Sequence, residues 1–388
     1  MEKKERVEAT LNHKKPDRVP TISCMDVQRY VYETLNETPD NTYKYLVNPI
    51  TAKIIDVISP LLNLINIFDK DVTEFMLKKT ESDVKMGFDS TWNIFASIFR
   101  FINSKYMSDV YGGRIYKIGD DGYGNMDTPM FIKGTFETPD DWKRFNKKHW
   151  EALPEKMFDF NTIINKEFGS DIYIFGSLFM GLFENAWQPF GFNTFAKMIR
   201  KERGFLEELI EYNKNMYLKC LDASIDAGLP GFIVSDDQAY KSGPMVNPKT
   251  MDELFGKPYK EITDHAHKKG VPIVIHTDGW TIPLLDLYKK WGFDGQHSLE
   301  PTANVDLADV RKEIGDKFIL LGHIDIAHIL TSGTRDEVFA HVKESIKKGG
   351  KNGNLILGPC NSHADIKVEN MNWMIEAIEE YGHYPLKI

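Results

Sequence analysis

A closed (β/α)8 TIM barrel is the α/β fold class that this sequence predicts, on three observations. Short β-branched runs alternate with longer helical patterns, the runs number about eight, and the last five end in polar residues. In order the runs are DRVPTISCM (17–25), KMGFDSTWN (85–93), DIYIFGSL (171–178), PGFIVSDDQ (230–238), VPIVIHTDG (271–279), FDGQHSLE (293–300), KFILLGHID (317–325) and NLILGPCN (354–361). Between the later runs lie stretches such as PKTMDELFGKPYKEITDHAHKKG, so each strand is followed by a crossover helix and neighbouring strands are parallel. The dinucleotide fingerprint GxGxxG, which would open a helix in a doubly wound sheet, is absent.

Residues 110–137 break the rhythm with alternation and turn signals at Gly112-Gly113 and Asp120-Asp121-Gly122, which predicts a β-hairpin insertion. Thr138-Pro139-Asp140-Asp141 then supplies an N-cap, a proline at the first helical position and acids in the first turn. With no low-complexity linker, 1–388 reads as one barrel domain with an elaborated N-terminal third.

Composition narrows the partners. The net charge is −9 and no dense Lys/Arg block occurs, so the footprint of a nucleic-acid binder is missing. The longest apolar stretch, DVISPLLNLINIF at 56–68, is interrupted by polar residues and Pro60 and is too short to span a bilayer. The opening MEKKERVEATL lacks an apolar signal core, and the expectation is a cytoplasmic protein. Three widely spaced cysteines argue against a disulfide scaffold: Cys220 reads as a helix-interior hydrophobe, while Cys24 and Cys360 stand at strand ends.

Strand ends matter because a barrel of this kind gathers its βα loops over one rim. The late strands deliver Asp236 and Asp237, His276 and Asp278, His297 and Glu300, His323 and Asp325, then Cys360 and His363. Taken singly, each His reads first as a hydrogen-bonded structural residue and each Asp as a turn or cap residue, but the set suggests metal binding or acid–base chemistry. Mixed imidazole, thiolate and carboxylate donors point to zinc. The segment GSLFMGLFENAWQPFGF (176–192) surrounds Glu184 with Phe179, Phe183, Trp187, Phe190 and Phe192, the makings of an apolar pocket with one polar handle.

Several stretches together resemble the uroporphyrinogen decarboxylase superfamily: KKPDRVP (14–20), SDDQAYKSGPM (235–245), VIHTDGW (274–280), GFDGQHSLEP (292–301), LLGHID (320–325), GPCNSHADIKVEN (358–370) and the closing EYGHYPL. That resemblance implies a (β/α)8 barrel and one of two activities, tetrapyrrole decarboxylation or methyl transfer to or from a cobalt corrinoid. The decarboxylases carry an arginine-rich motif after the first strand, whereas SCMDVQRY here offers only Arg29. Thiol-methylating members of the other branch hold zinc with a His-x-Cys pair and a distal cysteine. His276 and Cys360 match the outer two of these positions, and Asp278 stands in place of the middle cysteine.

The resemblance therefore implies a methyltransferase moving a methyl group from a small methylated donor, an O-methyl ether with aromatic ethers included, to the Co(I) corrinoid of a partner protein. Its expected metal ligands are His276, Asp278 and Cys360, with Asp237, Glu184 and His363 as acid–base residues. Trp187, Phe179, Tyr240 and Lys241 are the expected donor-binding residues. Zinc and a cobalamin borne by another chain are the implied cofactors, since the corrinoid-binding motif DxHxxG is absent here. A homodimer is compatible with this reading, as are methylcobalamin-to-thiol transfer and a decarboxylase-like lyase.

Overall fold

The computed structural model describes residues 1–38, 52–54, 56–57, 67–95, 99–109, 113–120, 126–178 and 180–388. Phe179, Gly112, Asp121, Gly122 and most of the apolar stretch 56–68 lie outside the described residues. Eight parallel strands form one sheet: β1 (Ile22–Ser23), β2 (Ser90–Phe95), β3 (Tyr173–Leu178), β4 (Gly231–Ser235), β5 (Ile273–Thr277), β6 (Gly295–Ser298), β7 (Ile319–Ile324) and β8 (Leu355–Pro359). A parallel bridge between Thr21 and Leu357 joins the two ends of the sheet. There the Leu357 N–H donates to the Pro20 carbonyl at 2.8 Å. All eight runs read from the sequence are strands, and closure removes the exposed edges of the sheet.

Side-chain alternation divides the core in two. Ile22, Cys24, Trp92, Tyr173, Phe175, Ile233, Val274, Ile319, Leu321 and Ile356 fill the barrel. The opposite faces of the strands pack on helices that include Arg203–Asp226, Pro248–Lys268 and Arg335–Gly349. Cys220 is buried within the first of these helices, as its surroundings in the sequence predict. Among the described residues, no helix is long and apolar enough to cross a membrane.

The KKPDRVP stretch closes the opposite end of the barrel from the strand tips. Asp89, fully buried just before β2, accepts from Arg6 at 2.6 Å and from Arg18 at 2.7 Å, and also from the Thr21 N–H. Two guanidinium groups thus neutralise one buried carboxylate, which would be costly to bury alone.

The insertion is larger than the predicted hairpin. Four antiparallel strands, Phe99–Phe101, Tyr106–Asp109, Arg114–Asp120 and Met126–Gly134, follow β2 as a meander. Its first turn is set by Asn103, whose side-chain carbonyl accepts from the N–H groups of Lys105 and Tyr106, a local side-chain turn with no Gly or Pro to announce it. The meander is fastened inward by a fully buried Arg114–Asp109 pair at 2.7 Å, and Arg114 also donates to the Asn185 side chain at 2.5 Å. Gly134 permits the last strand to touch the backbone after β3, since a Cβ there would lie 2.3 Å from the Pro189 carbonyl. The Thr138 capping box and Pro139 open a helix, Pro139–Arg144, where the sequence places one.

Candidate active site

The strand ends divide into those that face the barrel mouth and those that do not. His323 belongs to the second group: at φ +81° its ring turns outward, its Nδ1–H donates to the Leu299 carbonyl at 2.8 Å, and it stacks on His341. Asp325 caps the following turn by accepting from the N–H groups of Ala327 and His328. His363 is half exposed in its own loop, where Nδ1 accepts from the Asp365 N–H at 3.2 Å.

His323 yields a test of the fold. Burial pushes its pKa down from 6.5 to about 4, so between those values the unfolded chain holds a proton that the folded chain excludes. Stability is therefore full above pH 6.5 and falls as the pH drops towards 4. A shift of that size corresponds to about 3 kcal/mol. His323→Asn, which tolerates the left-handed backbone, is expected to lose less stability than the parent between pH 7 and pH 4 in urea unfolding. An equal loss in both proteins would place the acid sensitivity elsewhere.

At the mouth, Asp237, His276 and Asp278 come together, with one donor atom from each lying within 4.8 Å of the others. The sequence alone offers Asp237 as an acid–base residue and His276 and Asp278 as ligands; the fold makes them neighbours because β4 and β5 pair in register, Ser235 opposite His276. His276 Nε2 stands 3.8 Å from a carboxylate oxygen of Asp237 and 3.8 Å from one of Asp278. The backbone knits the two tips together, the Asp278 N–H donating to Asp237 at 3.0 Å. Gly279 (φ +88°) completes the turn, because a Cβ there would sit 2.7 Å from the Tyr240 carbonyl. Burial lowers the His276 pKa, partly opposed by the negative charge of Asp278, and so keeps a neutral ring with a lone pair to offer.

Asp278 is held at both oxygens, by the Ser298 hydroxyl at 2.5 Å and by the Asn361 amide at 2.5 Å. Neither partner stood out in the sequence, although Asn361 directly follows Cys360. Cys360 itself is buried at the end of β8, outside the group of three donors. Its thiol is pushed well above the usual range, first by burial and then by the charge of Asp278. The thiol thus lies within the electrostatic reach of Asp278.

A cavity of about 390 Å³ opens over this cluster, lined by Phe131, Glu184, Trp187, Gln188, Asp237, Tyr240, Lys241, Asp278 and Glu300 among others. Trp187 meets Phe131 of the insertion edge to face, with ring centroids 5.5 Å apart. The aromatic wall is thus Trp187 with Phe131, a residue that the sequence reading missed because it assigned only a hairpin there. Phe183 and Phe190 are instead buried in the core, and Phe183 packs on Phe195 and Phe255. Tyr240 is exposed at the rim, and Lys241 Nζ lies 3.6 Å from Glu300, whose carboxylate also accepts from the Gly279 N–H.

Glu184 sits in the first turn of a short helix, Leu182–Trp187, whose start is organised by Asp236. The buried Asp236 carboxylate accepts from the N–H groups of Phe183 and Glu184, from the Gln238 amide and from the Tyr259 hydroxyl. Asp236 is therefore a positioning carboxylate. Glu184 accepts from the Gln188 amide at 2.7 Å, and its pKa is raised well above the usual carboxylate range by burial and by the charges of Asp237 and Asp236. The Asp237 carboxyl is pushed up to about 8 by burial and by Asp278. Although 45 % of the Asp237 side chain is accessible, it faces a cavity already crowded with carboxylates. Glu184, Asp237, Asp278 and Glu300 line one cavity with Lys241 beside Glu300, a crowding of carboxylates that favours bound protons or a cation.

The donor set at the floor, one neutral imidazole with two carboxylates, fits a divalent cation of the zinc type, with neighbouring side chains already fixing one carboxylate. Arg29, the cation of SCMDVQRY, donates to the carbonyls of Ala364 and Ile366.

Comparison with known proteins agrees with the fold. Over its full length the structure is similar to a methyltransferase from Methanosarcina mazei, with a TM-score of 0.68 and 18 % identity over 98 % of this chain and 99 % of that one. In sequence it is 23 % identical over 220 residues to the methylcobamide:CoM methyltransferase MtaA of Methanosarcina barkeri, covering 56 % of this chain and 61 % of the relative. It is also 25 % identical over 197 residues to the uroporphyrinogen decarboxylase of Vibrio vulnificus (strain YJ016), covering 49 % of this chain and 52 % of the relative. The aligned regions thus span a little over half the length of these curated relatives. Residues 122–381, well over half of the chain, match the family described as Uroporphyrinogen decarboxylase (URO-D), and the chain belongs to that family.

Proposed function

We propose that this protein is a corrinoid-dependent methyltransferase that takes the methyl group from a small O-methylated donor and passes it to the Co(I) corrinoid of a partner protein. The observation that carries the reading is the Asp237–His276–Asp278 cluster at the floor of a cavity walled by Trp187 and Phe131. The similarity to a methylcobamide:CoM methyltransferase supports the corrinoid. Engagement of Arg29 by backbone carbonyls argues against decarboxylation, because that side chain is committed away from substrate carboxylates.

Asp237, His276 and Asp278 would hold zinc, with Cys360 as the candidate fourth donor. Bound there, the metal would supply Lewis-acid stabilisation of the negative charge that develops on the donor oxygen. Trp187 and Phe131 receive the apolar part of the donor, and Tyr240 and Lys241 border its entrance. Glu184, kept protonated by burial, is placed to give its proton to the departing oxygen. Cleavage of the C–O bond would leave its electron pair on the donor oxygen, where the Glu184 proton would neutralise the alkoxide or phenoxide, and the partner's Co(I) corrinoid would supply the electron pair that accepts the methyl group.

The direct test supplies zinc-loaded protein with a Co(I) corrinoid protein and a panel of methyl ethers, following methylcobalt formation by absorbance. Trp187→Ala is expected to lower kcat/KM for accepted donors roughly ten-fold, the scale of a lost aromatic contact, with zinc content and far-UV circular dichroism unchanged. Undiminished use of every donor would make the Trp187 wall structural. Turnover with no ether would remove the proposed donor class.

A further inference from the structure

Behind His276 lies a second imidazole to which the proposed chemistry gives no role. His276 and His297 are register partners on β5 and β6, and their Nδ1 atoms are 2.8 Å apart. Trp92 covers both rings, with centroid distances of 4.8 Å and 5.1 Å. A contact this short between two ring nitrogens holds one hydrogen, with one ring donating and the other accepting. We propose that His297 is a positioning residue that sets which nitrogen of His276 carries the proton, and that binding of a cation reverses the direction of the N–H···N bond between the two rings. The inference rests on the metal reading given above.

Two tautomer arrangements satisfy the contact. In the first, His297 donates from Nδ1 and His276 carries its own proton on Nε2, facing the carboxylates of Asp237 and Asp278 at 3.8 Å. The negative charge of Asp278 on that side favours this arrangement in the metal-free protein. In the second, His276 Nε2 presents a lone pair, its Nδ1–H donates to His297, and His297 is protonated on Nε2. A cation shared by Asp237, His276 and Asp278 requires the second arrangement, because a ligating nitrogen cannot keep its hydrogen. Each ring holds one proton throughout: the central proton changes owner, His276 Nε2 loses a proton and His297 Nε2 gains one.

His297 Nε2 is buried with no protein hydrogen-bond partner among the described residues. Gly322 approaches it closely, since a Cβ at that residue would stand 3.4 Å from this nitrogen. An N–H placed there is less well satisfied than one donating to a carboxylate or carbonyl, the usual partner behind a ligating histidine. His297 therefore supports the ligand tautomer while weakening the metal relative to a fixed acceptor in the same position.

The test uses 15N-histidine-labelled full-length protein, whose ring nitrogen shifts report the tautomer, before and after one equivalent of zinc. His276 is expected to change from Nε2–H to Nδ1–H, and His297 from Nδ1–H to Nε2–H. Zinc that shifts His276 while His297 keeps its tautomer overturns the switch and leaves the metal site standing. Zinc that leaves His276 unshifted overturns the metal reading and the switch with it. Affinity supplies a second readout that a merely structural role would not sort by hydrogen-bonding capacity. His297→Leu, with no acceptor, is expected to weaken zinc by roughly ten- to a hundred-fold. His297→Asn, whose carbonyl oxygen can occupy the place of Nδ1, is expected to bind zinc at least as tightly as the parent, and equal weakening in both variants would overturn the assignment.

Discussion

Alanine at His276 or at Asp237 is expected to strip the metal from the protein, with affinity falling by about a hundred-fold or more and methyl transfer falling with it. The expectation follows from the small size of the donor set: one donor atom from each of three residues lies within 4.8 Å of the others, so removing one takes away a third of the cluster. Losing a mere supporting partner already costs roughly ten- to a hundred-fold. The folded barrel should survive both changes, since the interior core is built from apolar residues on seven of the eight strands. Cys360→Ala serves as the graded comparison. Its thiol must lose a proton to bind, against burial and the charge of Asp278, and the expected loss is nearer ten-fold. Metal content by elemental analysis and affinity by chelator competition read all three variants. Full retention of zinc in both His276→Ala and Asp237→Ala would remove the site and the chemistry built on it.

The barrel was legible in the sequence because parallel strands buried on both faces are written as dense β-branched runs, and VPIVIHTDG and KFILLGHID are such runs. The site was legible as a list of strand-end residues, but not as a geometry. Asp236 and Asp237 are adjacent in sequence and opposite in use, one organising a helix start and the other facing the cavity. His297 and His323 occupy similar strand ends, yet His297 meets His276 while the left-handed backbone at His323 turns its ring outward. Whether a side chain at a strand tip faces the mouth depends on where the strand stops alternating, and in β7 the positive φ of Gly322 and His323 breaks the alternation. The meander was only half legible, because its first turn uses Asn103 and its hold on the barrel uses a buried Arg114–Asp109 pair. Neither feature leaves a periodic trace.

Replacing Asp278 by cysteine is expected to keep zinc bound and to depress ether cleavage by roughly ten- to a hundred-fold, the range for altered metal surroundings. Thiolate is an excellent zinc ligand, so occupancy should not suffer. What changes is the charge left on the metal: a thiolate gives more electron density than a carboxylate, and a softer, better neutralised zinc is a weaker Lewis acid towards a departing oxygen. The structure adds a second cost, since Asp278 accepts from Ser298 at one oxygen and from Asn361 at the other. Cysteine satisfies neither donor well, so the ligand loses the contacts that aim it. The two contributions separate in Asn361→Ala, which removes one aiming contact while keeping the carboxylate. A comparable loss of ether cleavage in that variant would assign the effect to orientation, whereas near-parent activity assigns it to the metal. Undiminished demethylation by Asp278→Cys alone would show that Asp278 shapes the turn after β5, leaving His276 and Asp237 to hold the metal.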